Sequence, residues 1–344
     1  MMQNKIRTGI IGLGRIGWNY HAKEINRHSE YDLIAVSDQD KNKLAEARKK
    51  YNCSCFDNHR QMIKESNLDV VVIASPTHTH FQMAMNLLEA GIHVIVEKPM
   101  AMNYQEAFKI FELAENNNCL ITVFQPRRLA AYFQQILAII EKNVIGNIFW
   151  VHLAHFDYCR RNDWQSLSKY GGGMLRNYGS HFIDLLLQLI GYDIINTYCY
   201  ANKYISLGDA DDIVKIVLQT ETNKLGEITI NQASLIKPYE LYIWGNKGSI
   251  KYSNEQITIE SFDTFDSEIV LEDTLNRNDR IYPKDNIKSN LKIVNVDSKQ
   301  EKNVYTNFAD AINQKDKLIV PVKQTLEVVK TIDNCIENSS FYNV

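Results

Sequence analysis

The 344-residue sequence lacks any apolar run near the roughly 20 residues that a membrane helix needs, so no membrane partner is expected. It lacks an excess of one charge. Its 38 Lys and Arg against 41 Asp and Glu leave a formal net charge of −3, which gives no electrostatic reason to expect nucleic acid or an anionic surface. It lacks cysteine pairs at metal-binding spacing. The six cysteines are scattered, and the tightest pair, Cys53 and Cys55 with His59 just beyond, reads as strand thiols in a reducing compartment, so no metal is expected. There is no internal repeat and no low-complexity tail. Residues 1–7 are polar and run straight into a strand, so no secretory signal is read there and the cytoplasm is the expected location. What remains is an ordinary globular composition, 45% hydrophobic and 23% charged, in a chain long enough for two domains.

The chain is organised around Gly91-Ile92-His93-Val94-Ile95-Val96-Glu97-Lys98-Pro99. An apolar run opened by glycine and closed by proline reads as a buried parallel strand. Ligands of open α/β sheets sit just beyond the carboxyl ends of the strands, which puts Lys98 where a cofactor would meet its substrate. Upstream, a β run over residues 5–11 leads into Gly12-Leu13-Gly14-Arg15-Ile16-Gly17 and a helix-compatible segment through Arg27. A second strand, 32–37, ends at Asp38. In this context Gly12 permits a tight turn, Gly14 lets the backbone approach a pyrophosphate, and Gly17 allows close helix–strand packing. The helix start offers unpaired N–H groups to phosphate. Asp38, 21 residues after Gly17, is placed to bond the ribose hydroxyls and to repel a 2′-phosphate, so NAD is expected over NADP. A strand at 69–74 closed by Ser75-Pro76-Thr77, a helix at 78–90, a helix at 103–116 and a strand at 120–124 continue the alternation of a doubly wound parallel sheet. The loops carrying Thr77, Lys98 and Gln125 then share one edge, with His78 and His80 at a helix start beside it, touching cofactor or solvent.

After Gln125-Pro126-Arg127-Arg128 the pattern changes. A helix at 129–142 is followed by strand-like runs at 148–156, 195–201, 212–218, 226–233, 240–244 and 249–252, without helical crossovers among them. They predict an open, mainly antiparallel sheet. A helix at 174–190 follows Gly171-Gly172-Gly173 and sets Asn177, His181 and Asp184 at i, i+4 and i+7 on one face. A neutral imidazole there could accept a hydroxyl proton near neutral pH, with Lys98 stabilising the oxygen. Tyr158, Arg160, Arg161 and Trp164 lie in a loop that could grip a carboxylate, a phosphate or sugar hydroxyls, or could simply be solvated. Residues 273–303 read as a polar insertion with at most one strand, 291–294. Helical patterns at 307–314 and 325–338 close the chain.

Taken together, the glycine motif, Ser75-Pro76-Thr77-His78-Thr79-His80, Glu97-Lys98-Pro99, Gln125-Pro126-Arg127-Arg128 and Gly171-Gly172-Gly173 through His181 resemble the Gfo/Idh/MocA oxidoreductase family over nearly the whole chain. The resemblance implies an NAD-binding Rossmann domain (residues 1–125) and a C-terminal α/β domain (126–344) for substrate binding and oligomerisation. It carries cofactor contacts onto Gly12, Gly14, Arg15, Ile16, Gly17, Asp38, Ser75, Pro76, Thr77, His80, Glu97, Lys98 and Gln125. It implies Lys98 and His181 as the catalytic pair with Asn177 beside them, a cis peptide before Pro99, and substrate contacts from Arg128 and the loop carrying Tyr158, Arg160, Arg161 and Trp164. Asn177 departs from the aspartate that many members carry, so no carboxylate raises the basicity of His181 from that position.

These expectations describe a dehydrogenase acting on a secondary hydroxyl of a sugar, polyol or sugar derivative, working as a homodimer or homotetramer. Two rivals are retained. One keeps NAD bound, oxidises a sugar transiently, eliminates a glycosidic substituent and reduces the sugar again, so it is a lyase or glycosidase by outcome. The other is a non-catalytic NAD sensor or scaffold, which has no need of both Lys98 and His181.

Overall fold

The computed structural model describes residues 5–264 and 287–342. The first sheet is built from β1 (Ile6–Ile11), β2 (Tyr31–Ser37), β3 (Ser54–Phe56), β4 (Val70–Ile73), β5 (His93–Glu97) and β6 (Ile121–Phe124). The strands are all parallel, in the order β3-β2-β1-β4-β5-β6. β4 and the centre of β5 are buried without alternation, as strands covered on both faces must be. Their helices are α1 (Ala22–Arg27), α2 (Lys41–Tyr51), α3 (His59–Glu65), α4 (His80–Glu89) and α5 (Tyr104–Asn116). The order reverses between β1 and β4, which opens a crevice at their carboxyl ends. The periodicity read from the sequence does not mark α2 or α3. Only Leu44 and Ala47 of α2, and Met62 of α3, are buried, too few to write a stripe.

The chain leaves this sheet through α6 (Pro126–Leu129) and α7 (Ala131–Glu141). The second sheet comprises β7 (Ile148–Phe156), β8 (Ile194–Asn202), β9 (Ile213–Thr220), β10 (Leu225–Asn231), β11 (Leu241–Gly245), β12 (Gly248–Ser253), β13 (Gln256–Ser261) and β14 (Asn290–Asn295). Its order is β14-β13-β12-β11-β7-β10-β9-β8, antiparallel everywhere except β7 with β10. That parallel pair has a topological cause. α8 (Ser180–Ile190) crosses over from β7 and starts β8 in the same direction, and two reversals then bring β10 back alongside β7. β13 is a strand the sequence reading passed over. The expected strand at 291–294 is β14, its partner, while residues 273–286 of the expected insertion lie outside the described residues.

α8 is buried on nearly all sides, and its Phe182, Leu185, Leu186 and Leu189 pack with Ile216, Ile228 and Ile243 of the sheet. Among the described residues nothing covers the other face of the sheet, which carries Trp150, Tyr198, Tyr200, Leu291 and Ile293. The last two helices, α9 (Val304–Ile312) and α10 (Val322–Glu337), turn back to the first sheet. Tyr305 and Phe308 join the cluster of Ile10, Val36 and Val72, and Leu326 and Val329 join that of Val94 and Val123. Val328, Ile332 and Cys335 of the same α10 enter the core of the second sheet. One helix therefore stitches the two cores together.

Candidate active site

The glycine loop leaves β1 and enters a helical turn, with the Trp18 N–H on the Gly14 carbonyl at 2.9 Å. A Cβ on Gly17 would lie 1.9 Å from the Gly12 carbonyl oxygen, so only glycine lets the helix approach the strand. A Cβ on Gly14 would meet nothing within 4 Å, which is the open cradle a dinucleotide pyrophosphate requires. Asp38 ends β2 beside it. Its Oδ2 accepts the Leu13 N–H at 2.7 Å and lies 3.6 Å from Lys43 Nζ, and its Oδ1 accepts the Asp40 N–H at 2.9 Å. Asp38 thus holds the glycine loop in shape, a task the spacing alone did not disclose. Each carboxylate oxygen keeps a second lone pair for a ribose hydroxyl. These residues fit NAD.

The next two strand ends are clamped together. Thr79 Oγ1 bonds Ser75 Oγ at 2.6 Å and donates to the Pro76 carbonyl at 2.7 Å. His80 turns inward and is buried, with Nε2 at 2.8 Å from the Ser75 carbonyl and Nδ1 at 2.9 Å from the Pro99 carbonyl. The peptide between Lys98 and Pro99 is cis. Glu97 faces away from the cleft, its Oε1 3.0 Å from His21 Nε2, and His21 Nδ1 lies 2.6 Å from the Tyr305 hydroxyl.

Lys98, Asn177, His181 and Gln125 converge at this edge. Lys98 Nζ donates to Oδ1 of Asn177 at 2.7 Å and to its carbonyl at 2.9 Å, and Asn177 Nδ2 donates in turn to Gln165 Oε1 at 3.3 Å. His181 Nδ1 lies 3.0 Å from Gln125 Oε1, while Gln125 Nε2 donates to the Ser180 carbonyl at 3.4 Å. With that amide orientation the proton sits on Nδ1, and Nε2 keeps its lone pair. The helix expected over 174–190 begins as a wide turn, Leu175–Gly179, before α8. Asp211 anchors its start by accepting the Leu175 N–H at 2.8 Å.

Asp184, three residues on from His181, is fully buried. It pairs in the core with Arg128, whose Nε donates to Asp184 Oδ2 at 2.8 Å and whose Nη1 donates to the Ile319 carbonyl at 3.1 Å. Arg128, expected to position substrate, is therefore turned away from the cleft. Its neighbour Arg127 faces the cleft instead, with its guanidinium 4.9 Å from the Phe182 ring and 5.5 Å from that of Tyr178. Adjacent residues of a helical turn point about 100° apart, so only one of two consecutive arginines can face a given side. His155, stacked on Tyr178 at 3.8 Å, is a further neighbour missed in the sequence. In the loop after β7, Tyr158 and Arg160 are exposed, Arg161 pairs with Asp163, and Trp164 lines a shallow cleft of about 490 Å³ with Tyr170 and Leu207.

Burial and charge set the protonation states. Burial, joined by Arg127, Arg161 and Arg15 and opposed by Glu97, brings the Lys98 ammonium down from 10.5 to about 8. Burial, with Lys98 and Arg127, holds His181 well below the ordinary histidine value. At neutral pH the lysine is mostly charged and the histidine neutral. A hydroxyl placed between them would meet a cation for its oxygen and a lone pair for its proton.

Residues 6–125 match the family described as an oxidoreductase family with an NAD-binding Rossmann fold, and residues 138–341 match its C-terminal alpha/beta domain. The chain belongs to the Gfo/Idh/MocA oxidoreductase family. An uncharacterised oxidoreductase of Schizosaccharomyces pombe is 30% identical over 54% of this chain and 52% of its own. The D-glucoside 3-dehydrogenase of Escherichia coli is 27% identical over 57% of each chain. The chain thus spans little more than half the length of these curated relatives. A solved NAD-binding protein from Listeria innocua shares the fold, with a TM-score of 0.82 at 22% identity over 97% of this chain and 95% of that one. The Gfo/Idh/MocA assignment makes NAD the cofactor of the first sheet, in agreement with the open cradle at Gly14. No helix among the described residues is long and apolar enough to cross a membrane.

Proposed function

We propose that the chain is an NAD-dependent dehydrogenase that oxidises, reversibly, a secondary hydroxyl of a sugar, polyol or sugar derivative. The observation that carries this reading is the convergence of charged Lys98 and neutral His181 at the strand-end crevice, each held by its own amide partner. Bound NAD supplies the hydride acceptor. Gly12, Gly14, Arg15, Ile16 and Gly17 would hold its pyrophosphate, Asp38 its ribose, and Ser75, Pro76, Thr77, Lys98 and Gln125 the remainder of its path; His80 and Glu97, the latter turned onto His21 rather than onto the cofactor as expected, support them from beneath.

His181 Nε2 receives the hydroxyl proton, because Gln125 fixes the Nδ1–H tautomer. Lys98 holds the oxygen and stabilises the negative charge that builds on it as the proton leaves. Asn177 positions that ammonium by accepting two of its three hydrogen bonds, which leaves one for substrate. The resemblance to a D-glucoside 3-dehydrogenase supports a ring hydroxyl as the reacting group. The uncovered aromatic face of the second sheet supports assembly with further copies of the same chain.

The direct test is absorbance at 340 nm while the purified protein meets NAD and a panel of sugars, inositols and sugar acids, with Lys98→Ala beside it. A rise with one compound that disappears in the variant supports the dehydrogenase. Cleavage of an aryl glycoside without net NADH would replace it with the redox-neutral elimination.

A further inference from the structure

Lys98 is held by the main chain and the side chain of one residue, Asn177. Whatever fixes Asn177 therefore fixes the ammonium. Asn177 lies in the wide turn Leu175–Gly179, whose start carries no side-chain cap from the residue before it. By contrast α2, α3, α5 and α9 are each capped by the residue just ahead of them, Asp40, Asn58, Asn103 and Asn303. The wide turn takes its cap from 36 residues further on.

That residue is Asp211, buried in the bend that leads into β9. Its carbonyl accepts the Met174 N–H at 3.1 Å, and its Oδ2 accepts the Leu175 N–H at 2.8 Å. Gly173 stands against the other oxygen. A Cβ there would lie 2.1 Å from Oδ1, so the last glycine of the run is what admits the carboxylate. The Gly173 carbonyl in turn accepts the Asn177 N–H at 2.9 Å. A continuous chain of contacts thus runs from Asp211 through the turn to Asn177 and Lys98. The next residue, Asp212, accepts the N–H groups of Tyr204, Ile205 and Ser206, which fixes the bend itself. A carboxylate is a stronger acceptor than a neutral group and meets the positive end of the helix that follows.

We propose that Asp211 is the positioning residue of the reacting lysine: as a carboxylate it latches the turn that presents Asn177 to Lys98, and on taking up a proton it loosens that latch. This rests on the dehydrogenase reading above and adds to it a residue that touches neither substrate nor cofactor. Burial lifts the Asp211 carboxyl from 3.8 to about 6, opposed by the Leu175 N–H, the Tyr342 hydroxyl and Arg176. Tyr342 reaches it from the C-terminal segment, with Cys199 of β8 behind, and Arg176 on the turn also faces Asp333 of α10. On its own loop, Asp209 is engaged by Ser168. Lys98 titrates at about 8 and His181 well below the ordinary histidine value, so a transition at about pH 6 separates Asp211 from both.

The test is pulse acetylation read lysine by lysine in a mass spectrometer, with Lys49, exposed on α2, as the reference amine. Below about pH 7 the free-amine fractions of two lysines fall in parallel, so their labelling ratio stays constant unless the surroundings of one change. In the wild type the ratio of Lys98 to Lys49 should rise about tenfold as pH falls from about 7 to about 5, the difference between a charged and a neutral acceptor. Its midpoint should lie at about 6. In Asp211→Asn, neutral at every pH, the ratio should start at the raised value and stay there. The kcat of that variant should fall about tenfold with KM within about twofold, because the lysine is misplaced while the rest of the site stands. NADH fluorescence reports that each protein is folded across the range. A flat wild-type ratio in folded protein, an Asp211→Asn variant that matches the wild type, or an unchanged kcat overturns the proposal. The expected ratios in a protein that forms NADH from no compound would instead overturn the dehydrogenase reading and leave the latch standing.

Discussion

Replacing Lys98 by methionine should change stability in a pH-dependent way that needs no substrate to observe. The ammonium is brought from 10.5 down to about 8 chiefly by burial. A group whose folded pKa lies below its unfolded one is less protonated in the folded state, so it destabilises the fold wherever both states would carry the proton. Two and a half pH units correspond to about 3 kcal/mol, present in full below pH 8 and relieved as pH climbs toward 10.5. Between about pH 7 and about pH 9.5 the linkage relation recovers roughly 2 kcal/mol of it. The methionine also removes two hydrogen bonds to Asn177, a loss of about 1–3 kcal/mol that does not vary with pH. The assay is therefore a difference of differences: urea unfolding of both proteins at the two pH values. The wild type should gain roughly 2 kcal/mol on the variant as pH rises, other titrating groups cancelling. A stability gap that stays constant with pH would mean that Lys98 titrates as an ordinary lysine, and the argument for its burial would fail.

Three further outcomes are expected. Gly14→Ala should weaken NAD by about tenfold or more, read by NADH fluorescence titration, with little change in Tm, whereas Gly17→Ala should unfold early because its methyl meets the Gly12 carbonyl at 1.9 Å. Asp38→Asn keeps an acceptor for the Leu13 N–H but loses the charge. NAD affinity should fall more than NADP affinity in paired titrations, and equal losses would remove the ribose assignment. Arg128→Met should cost about 3–5 kcal/mol in chemical denaturation by stranding buried Asp184, and adding Asp184→Leu should return much of it; a loss confined to substrate KM would show that Arg128 faces the cleft after all.

The parts that could be read without coordinates are those in which one residue type has one physical use. The three glycines of the dinucleotide turn, the apolar β5 ending on Lys98, and His181 on a helix after a glycine run all belong here, because local geometry alone selects them. Orientation was harder. Whether Arg127 or Arg128 enters the cleft depends on Asp184, 56 residues beyond Arg128, and nothing local marks that partner. Placing Asn177 on the face of His181 and Asp184 assumed a uniform 3.6-residue period, which the wide turn at Leu175–Gly179 interrupts on the Asn177 side. His80 reads as a helix-start residue near cofactor, yet two carbonyls on strand ends far apart in sequence draw it inward. β13 escaped notice because its alternation is short and half polar, and its partner β14 lies beyond the insertion.

The return of α9 and α10 to the first sheet bears on how the chain is made. β6 is complete at Phe124, yet the surfaces of Ile10, Val36, Val94 and Val123 wait for Tyr305, Phe308, Leu326 and Val329. At ribosomal speeds of about 5–20 residues per second, that interval of about 200 residues lasts roughly 10 to 40 s. Throughout it the nascent nucleotide-binding half presents an apolar flank to water or to a chaperone. A nonsense mutation between Gln125 and α9 would leave that flank permanently bare, so a truncated product retaining every cofactor-contacting residue should still be recovered in aggregates.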